Sequence, residues 1–169
     1  MKINSISPLK HKYLQIIDTI AKNPETLYFT GTLPSERLPT VAIVGTRKPT
    51  AYGREVTYQL AYDLAKQGVV IISGLALGTD GIAHRAALDA GGITIAVMAG
   101  GVDRIYPATH RALGEEIVQK GGAIISEYEP GVEPREFRFL ARNRIASGLS
   151  DAIIVTEAAA RSGTLATVN

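Results

Sequence analysis

The 169-residue sequence contains no cysteine, no tryptophan and only three phenylalanines. The absence of cysteine excludes disulfide bonds, thiolate catalysis and cysteine-ligated zinc, and it favours a reducing compartment, so we expect a cytoplasmic protein. No apolar run approaches the roughly 20 residues that a membrane helix needs, and residues 1–14 lack a hydrophobic signal core. We therefore expect no membrane association.

The sequence also lacks a large excess of either charge, since 18 basic and 16 acidic residues leave a formal net charge of +2. This balance argues against a surface that coats nucleic acid through bulk positive charge, so any phosphate binding must be local. A base-stacking platform would depend on tyrosine or phenylalanine and could not be extensive.

Short apolar runs alternate with amphipathic segments along most of the chain. The runs predict strands at residues 41–44, 69–72, 93–98, 123–125 and 152–156, and the segments predict helices at 53–67, 79–90, 109–120 and 139–147. Regular alternation of this kind predicts an α/β fold, an extended Rossmann-like open parallel sheet with helices on both faces. We assign it to residues 39–169, and interpret residues 1–38 as an appendage with a short helix at 8–21 that leads into a hairpin-like region at 26–39.

A glycine-rich loop opens the segment SGLALGTDGIAH, which directly follows the second predicted strand. Gly74 and Gly78 are positions where backbone N–H groups could approach a phosphate or a sugar edge. Asp80 and His84 fall on one face of the next helix. Because no serine or cysteine nucleophile accompanies them, we interpret this pair as a cap and an anchor rather than as an acid–base couple.

Basic and aromatic residues follow two other predicted strands. Arg47, after Gly45 and Thr46, would place a planar five-donor group at the sheet edge, where it either binds a phosphate or base edge or pairs with an acid. The missing GxGxxG motif disfavours an NAD-type enzyme. In the loop at 100–107, Tyr106 either stacks on a base or packs beneath a rigid loop, and Arg104 or Arg111 would reach a phosphate.

Two arginines flank Asn143 at the start of the last predicted helix. Arg142 and Arg144 point to different faces, so only one easily faces a ligand, and we expect the other to pair with an acid such as Glu127 or Glu157. Further on, Ser162 and the N–H groups around Gly163 would form an anion nest, which is a weak signal alone.

Six segments together resemble the DprA/Smf family of DNA-processing proteins. They are VAIVGTRKPTAYG, IISGLALGTDGIAH, MAGGVDRIYPATHRAL, ISEYEPG, FLARNRIASGLSD and EAAARSGTLAT, and they span roughly residues 38–167. The resemblance implies a non-enzymatic protein that binds single-stranded DNA and helps to load a RecA-type recombinase during natural transformation. It implies no cofactor and no metal, and a homodimer is possible. The residues expected at the DNA are Arg47, Lys48, Ser73, Gly74, Gly78, Gly101, Asp103, Arg104, Tyr106, Pro107, Arg111, Arg142 and Asn143.

Three features depart from the family pattern. Leu140 stands where the family usually has proline, Ala108 occupies a position that is often basic, and the chain ends soon after SGTLAT, so we expect a fold shortened at its C-terminal end. The alternatives are a nucleoside-monophosphate phosphoribohydrolase of a related Rossmann group, whose PGGxGTxxE motif is not intact here, and a module that binds a nucleotide only as a structural ligand.

Overall fold

The computed structural model describes residues 1–158, and seven strands in this part of the chain form one mixed sheet in the order β1-β2-β6-β5-β4-β3-β7. The strands are β1 (Asn4–Ile6), β2 (Leu27–Gly31), β3 (Thr40–Val44), β4 (Val70–Ser73), β5 (Thr94–Val97), β6 (Ala123–Ser126) and β7 (Ala152–Val155). The helices are α1 (Ala51–Lys66), α2 (Thr79–Asp89), α3 (Arg111–Gln119) and α4 (Glu136–Gly148). The parallel strands β3 to β7 confirm the Rossmann-like α/β prediction.

Helices cover both faces of the sheet, as the continuously apolar strands predicted. Alternate residues of β4 divide between two cores: Val70 and Ile72 pack with α4, and Ile71 packs with α1 and α2. The helices α1 to α3 follow strands that progress in one direction across the sheet, and α4 precedes the strand that returns to the far side of β3. Because crossover connections keep the same hand, a helix lies on the opposite face of the sheet when the direction of strand progression reverses.

The N-terminal region differs from the predicted helix and hairpin. Residues 8–21 form two short 3-10 helices, Pro8–Lys10 and Gln15–Thr19, rather than one α-helix. The turn signal at Gly31 marks the end of β2, which pairs antiparallel with both β1 and β6 and so extends the main sheet. Tyr13, Leu14 and Ile17 are fully buried in the core shared with α4. The division of the chain at residue 38 stays a prediction.

The helix ends follow the glycine pattern of the sequence. Gly68, Gly91 and Gly121 follow α1, α2 and α3 with φ angles of 86°, 75° and 92°, the left-handed conformation that ends helices. The helix α4 begins at Glu136, three residues before its predicted start, so Leu140 lies within it. No helix within residues 1–158 is long and apolar enough to cross a membrane.

Candidate nucleic-acid interface

Strand β3 lies where the strand connections change direction, with β4 on one side and β7 on the other. The loop after β3 is fixed to the end of β7 at this point. The Thr46 N–H donates to the Glu157 carbonyl (2.8 Å), and the Glu157 carboxylate accepts from both the N–H (2.9 Å) and the hydroxyl (2.7 Å) of Thr50, the N-cap of α1. These hydrogen bonds from Thr50 lower the pKa of Glu157. Ligands of open α/β sheets bind in the crevice at such a reversal.

Arg47 projects from this loop into a cluster of aromatic side chains. The Arg47 guanidinium carbon lies 5.7 Å from the centroid of the Phe139 ring, and the Tyr106 ring lies 5.8 Å from Phe139 at an interplanar angle of 49°. Arg47 is exposed, and no carboxylate of residues 1–158 forms a salt bridge with it. We name Arg47, Tyr106 and Phe139 the arginine–aromatic cluster. It presents an exposed cation beside one exposed and one partly exposed ring.

The glycine-rich loop at 73–78 is held from inside the protein. The N–H groups of Gly74 and Ala76 donate to Asp80 Oδ2 at 3.1 and 3.4 Å, and the Ser73 hydroxyl donates to the Ile43 carbonyl at 2.6 Å. Leu75 adopts a φ of 62°, and its carbonyl lies 2.7 Å from His110 Nδ1. The Gly74 N–H, which the sequence offered to a phosphate, therefore has a carboxylate as its acceptor.

Asp80 and His84 have separate partners, which supports their structural interpretation. Burial raises the pKa of Asp80, and the positive charge of Arg142 opposes that rise. Burial lowers the pKa of His84 to about 3, and His84 Nδ1 lies 2.7 Å from the Thr94 hydroxyl oxygen. Since the Thr94 hydroxyl donates to the Ile71 carbonyl, Nδ1 of His84 carries the proton and donates to Thr94. A fully buried neutral imidazole in this state has no access to a substrate.

Gly78 joins the glycine-rich loop to the Arg47 loop. Its φ is 75°, and a Cβ at this position would lie 2.5 Å from the Arg47 carbonyl oxygen. Beside it, the N–H and the hydroxyl of Thr79 both donate to the Thr46 carbonyl, at 3.1 and 3.0 Å. The backbone that carries Arg47 therefore rests directly on the start of α2.

The two arginines that flank Asn143 have different partners, and both guanidinium groups are hydrogen-bonded within the described residues. Arg144 binds the Glu127 carboxylate through two hydrogen bonds of 2.5 and 3.1 Å, which confirms that one arginine pairs with this acid. Arg142 is only 6% exposed and donates to the carbonyls of Gly74 (2.9 Å) and Val97 (2.7 Å). The sequence placed Arg142 at the DNA, whereas the structure places it beneath the surface.

The loop at 101–107 is anchored at one end and exposed at the other. The Gly101 N–H donates to the Val132 carbonyl at 2.8 Å, and Asp103 Oδ1 accepts from the Gly131 N–H at 2.9 Å. Arg104 is exposed, and Tyr106 precedes Pro107 through a cis peptide bond. The Tyr106 ring packs against Phe139.

A cavity of about 530 Å³ lies between this loop and α3. Its walls include Val102, Ile105 and Val118, with Arg104 and Arg111 among the polar residues. The Arg111 side chain is 77% exposed and pairs with Glu115 at 3.1 Å. Arg104 and Arg111 are thus exposed to solvent beside this cavity.

The predicted contact residues divide into an outer and an inner group. Exposed side chains are those of Arg47, Lys48, Asp103, Arg104, Tyr106 and Arg111, with Pro107 and Asn143 partly buried. The inner group is buried or packed against backbone, and it supports the surface residues. Its members are Ser73, Gly74, Gly78, Gly101 and Arg142. Direct contact of any of them with DNA stays a prediction. The predicted nest at Ser162 and Gly163 lies outside the described residues.

Phe139 is a residue of the candidate site that the sequence did not assign to DNA. The available signal for Phe139 was its position three residues before Arg142, on the same face of a helix. Within residues 1–158, no group of three or more histidine, aspartate or glutamate side chains could hold a metal ion.

The sheet order defines a Rossmann-like α/β protein, with the arginine–aromatic cluster at the carboxyl edge of its parallel strands. Residues 4–169 match the family model of DNA recombination-mediator protein A, and the chain belongs to that family.

Individual relatives agree with this assignment. The chain is 53% identical over 122 residues to the DNA processing protein DprA of Mycobacterium tuberculosis, an alignment that covers 72% of this chain and 31% of that protein. The structure of DprA from Streptococcus pneumoniae is similar, with a TM-score of 0.90 at 40% identity over 99% of this chain and 59% of the other. DNA processing protein A of Helicobacter pylori, described with a single-stranded DNA binding mode, gives a TM-score of 0.85 at 37% identity over 99% of this chain and 74% of the other. The chain thus spans about a third of the length of the mycobacterial relative.

Proposed function

We propose that this chain binds single-stranded DNA at the arginine–aromatic cluster, without catalytic turnover. The observation that carries the proposal is the position of the exposed Arg47 guanidinium 5.7 Å from the Phe139 ring, with Tyr106 beside it. An arginine beside an aromatic ring supplies the two interactions that a single strand needs, a phosphate contact and a stacking surface. The described single-stranded DNA binding mode of the Helicobacter pylori relative supports this choice of ligand.

The low net charge also supports a local site rather than a general basic surface. Arg47 and Lys48 are adjacent and exposed, and neither forms a salt bridge within residues 1–158. A site of this kind binds through a few phosphates, so its affinity falls with salt and shows little sequence preference. Single strands are favoured over duplex because only unpaired bases expose a face that can stack on Phe139 or Tyr106.

The state of the titratable groups beside the site supports the proposal that no turnover occurs. Asp80 accepts backbone N–H groups, and His84 is fully buried and donates to Thr94. Neither reaches a ligand at the arginine–aromatic cluster as an acid or a base. We extend the proposal to the longer proteins of the family: such a domain, in the cytoplasm, would hold the strand as a homodimer while a RecA-type recombinase is loaded onto it.

The direct test is a fluorescence anisotropy titration with a length series of single-stranded oligonucleotides, each compared with its duplex at two salt concentrations. We expect affinity to rise with strand length, to fall with salt and to be weaker for duplex. A mononucleotide that binds as tightly as the longest strand would instead indicate a nucleotide-binding module.

The enzymatic alternative requires a separate assay. Incubation with AMP, followed by chromatography for free adenine, tests for phosphoribohydrolase activity. We expect no adenine above the level of a protein-free sample. Release of adenine in proportion to protein concentration would contradict the non-enzymatic proposal.

A further inference from the structure

We propose that Arg142 is a positioning residue of this interface and not a contact to DNA: its buried guanidinium ties the ends of β4 and β5 to α4 and thereby sets the position of Phe139. The inference rests on the proposed function, because it assigns a role within the same site. Arg142 is 6% exposed, so its guanidinium has little surface to offer a phosphate.

The hydrogen bonds of Arg142 join three elements of the fold. One guanidinium nitrogen, Nη1, donates both to the carbonyl of Gly74, directly after β4, and to the carbonyl of Val97, the last residue of β5. The side chain itself belongs to α4. Because a guanidinium is planar and carries five donors, it can hold several carbonyls in a fixed arrangement, which a lysine ammonium does less rigidly.

Phe139 is connected to this arrangement through the helix. It lies one turn before Arg142 on α4, and the Arg142 guanidinium carbon is 5.6 Å from the centroid of its ring. The same ring is the neighbour of Arg47 and Tyr106. A shift of Arg142 relative to the strand ends therefore changes where the stacking surface lies.

Gly74 is held from both sides by this arrangement. Its carbonyl accepts from Arg142 while its N–H donates to Asp80. A Cβ on Gly74 would lie 2.5 Å from the Arg142 guanidinium carbon, so the absence of a side chain at this position is what lets the guanidinium approach. Asp80 is 6% exposed and supplies the negative charge that the buried Arg142 requires.

Salt dependence separates a positioning residue from a phosphate contact. For Arg142→Met, we expect an affinity for a single-stranded oligonucleotide about five- to tenfold lower, with the slope of log Kd against log salt unchanged. For Arg47→Ala, we expect a slope shallower by about 0.7, the value for one lost phosphate contact to a single strand. A slope for Arg142→Met that falls as for Arg47→Ala would overturn the inference. Binding by the wild-type protein, measured first, tests the proposed function separately.

Arg142→Lys keeps the test decisive if Arg142→Met does not fold, and a double variant tests the charge balance if it does. Arg142→Lys retains the charge, and we expect it to recover part of the affinity, again with the wild-type slope. In the double variant Arg142→Met with Asp80→Asn, no buried charge is left uncompensated, so we expect a higher thermal midpoint than for Arg142→Met. A double variant that is no more stable than the single one would contradict the pairing of Asp80 with Arg142.

The wild-type protein provides an independent measurement. An arginine-selective dicarbonyl reagent, followed by peptide mass spectrometry, should modify Arg47 and spare Arg142, and oligonucleotide should protect Arg47. Modification of Arg142 in the free protein, with protection by the oligonucleotide, would overturn the inference.

Discussion

The Arg47 guanidinium lies 5.7 Å from the Phe139 ring, which joins the loop after β3 to the helix α4 from the opposite face of the sheet. Neither residue belongs to the glycine-rich loop, the most conspicuous motif of the sequence. That loop instead supports the pair, since Gly78 packs on the Arg47 backbone and the Gly74 carbonyl accepts a hydrogen bond from Arg142. The candidate interface is therefore composed of side chains whose backbone the glycine-rich loop holds in place.

Replacement of Phe139 tests the stacking surface. Phe139→Leu keeps an apolar side chain but removes the ring, so we expect affinity for a single strand to fall by about 1–3 kcal/mol, the range for one stacked base. Phe137→Leu is the matched control, because Phe137 is two residues away on α4 and therefore projects to a different side. Anisotropy titration of both variants should separate them, and equal affinities would remove Phe139 from the interface.

A pair of glycines with the same φ tests the contact between the two loops. Gly78 and Gly91 both have a φ of 75°, but a Cβ on Gly91 meets no atom within 4 Å, whereas one on Gly78 would lie 2.5 Å from the Arg47 carbonyl oxygen. We expect Gly91→Ala to cost about 1–2 kcal/mol, from the left-handed conformation alone. Gly78→Ala should cost more and should also weaken DNA binding. Urea unfolding and anisotropy measure the two effects, and identical behaviour of the two variants would contradict this contact.

The ion pair between Arg144 and Glu127 tests how the segment after β6 is held against α4. Their side chains are 28% and 17% exposed, and Arg144 also donates to the Lys22 carbonyl. Glu127→Gln leaves the partly buried guanidinium without its counter-charge, so we expect a loss of about 1–3 kcal/mol in the free energy of unfolding. Glu36→Gln, which breaks the exposed pair with Lys12, should change it by about 0–1 kcal/mol. If the two variants lose the same stability, the pair of Arg144 with Glu127 does not anchor the segment after β6.

Acid sensitivity tests the state of His84. Burial lowers its pKa to about 3, whereas a histidine in an unfolded chain titrates near the ordinary pKa of 6.5. As the pH falls below that value, the unfolded state takes up a proton that the folded state does not, so stability is lost down to about pH 3 at up to about 1.4 kcal/mol per pH unit. His84→Gln should show a shallower loss of unfolding free energy between pH 6.5 and pH 4. A slope equal to that of the wild-type protein would contradict the buried neutral imidazole.

Local patterns were sufficient to predict the parallel part of the fold. Continuous apolar runs such as the one that contains Ile71 and Ile72 mark strands covered on both faces, and glycines such as Gly68 mark helix ends. The position of β2 was not accessible in this way, because it depends on a pairing with β6 that lies about 95 residues away in the chain. A run of five residues near turn signals predicts a strand equally well in a hairpin and in the sheet.

The candidate site was predicted in part for a similar reason. The end of a parallel strand is a reliable place for a binding residue, and Arg47 is indeed exposed there. The partners of the Gly74 and Ala76 N–H groups, and the burial of Arg142, depend on tertiary packing that no local spacing specifies. Spacing showed that Arg142 and Arg144 face different ways. Only the structure showed that both guanidinium groups are hydrogen-bonded within the protein.

The central claim is that single-stranded DNA binds at the arginine–aromatic cluster, and a titration of one fluorescent oligonucleotide with three proteins tests it most directly. The proteins are wild type, Arg47→Ala and Lys66→Ala, the last of which removes an exposed cation from the other end of α1. We predict that Arg47→Ala binds at least about tenfold more weakly at an unchanged thermal midpoint, the order expected when a charge-assisted phosphate contact is lost, and that Lys66→Ala binds as wild type does. Equal affinities for the wild-type protein and Arg47→Ala would contradict the account.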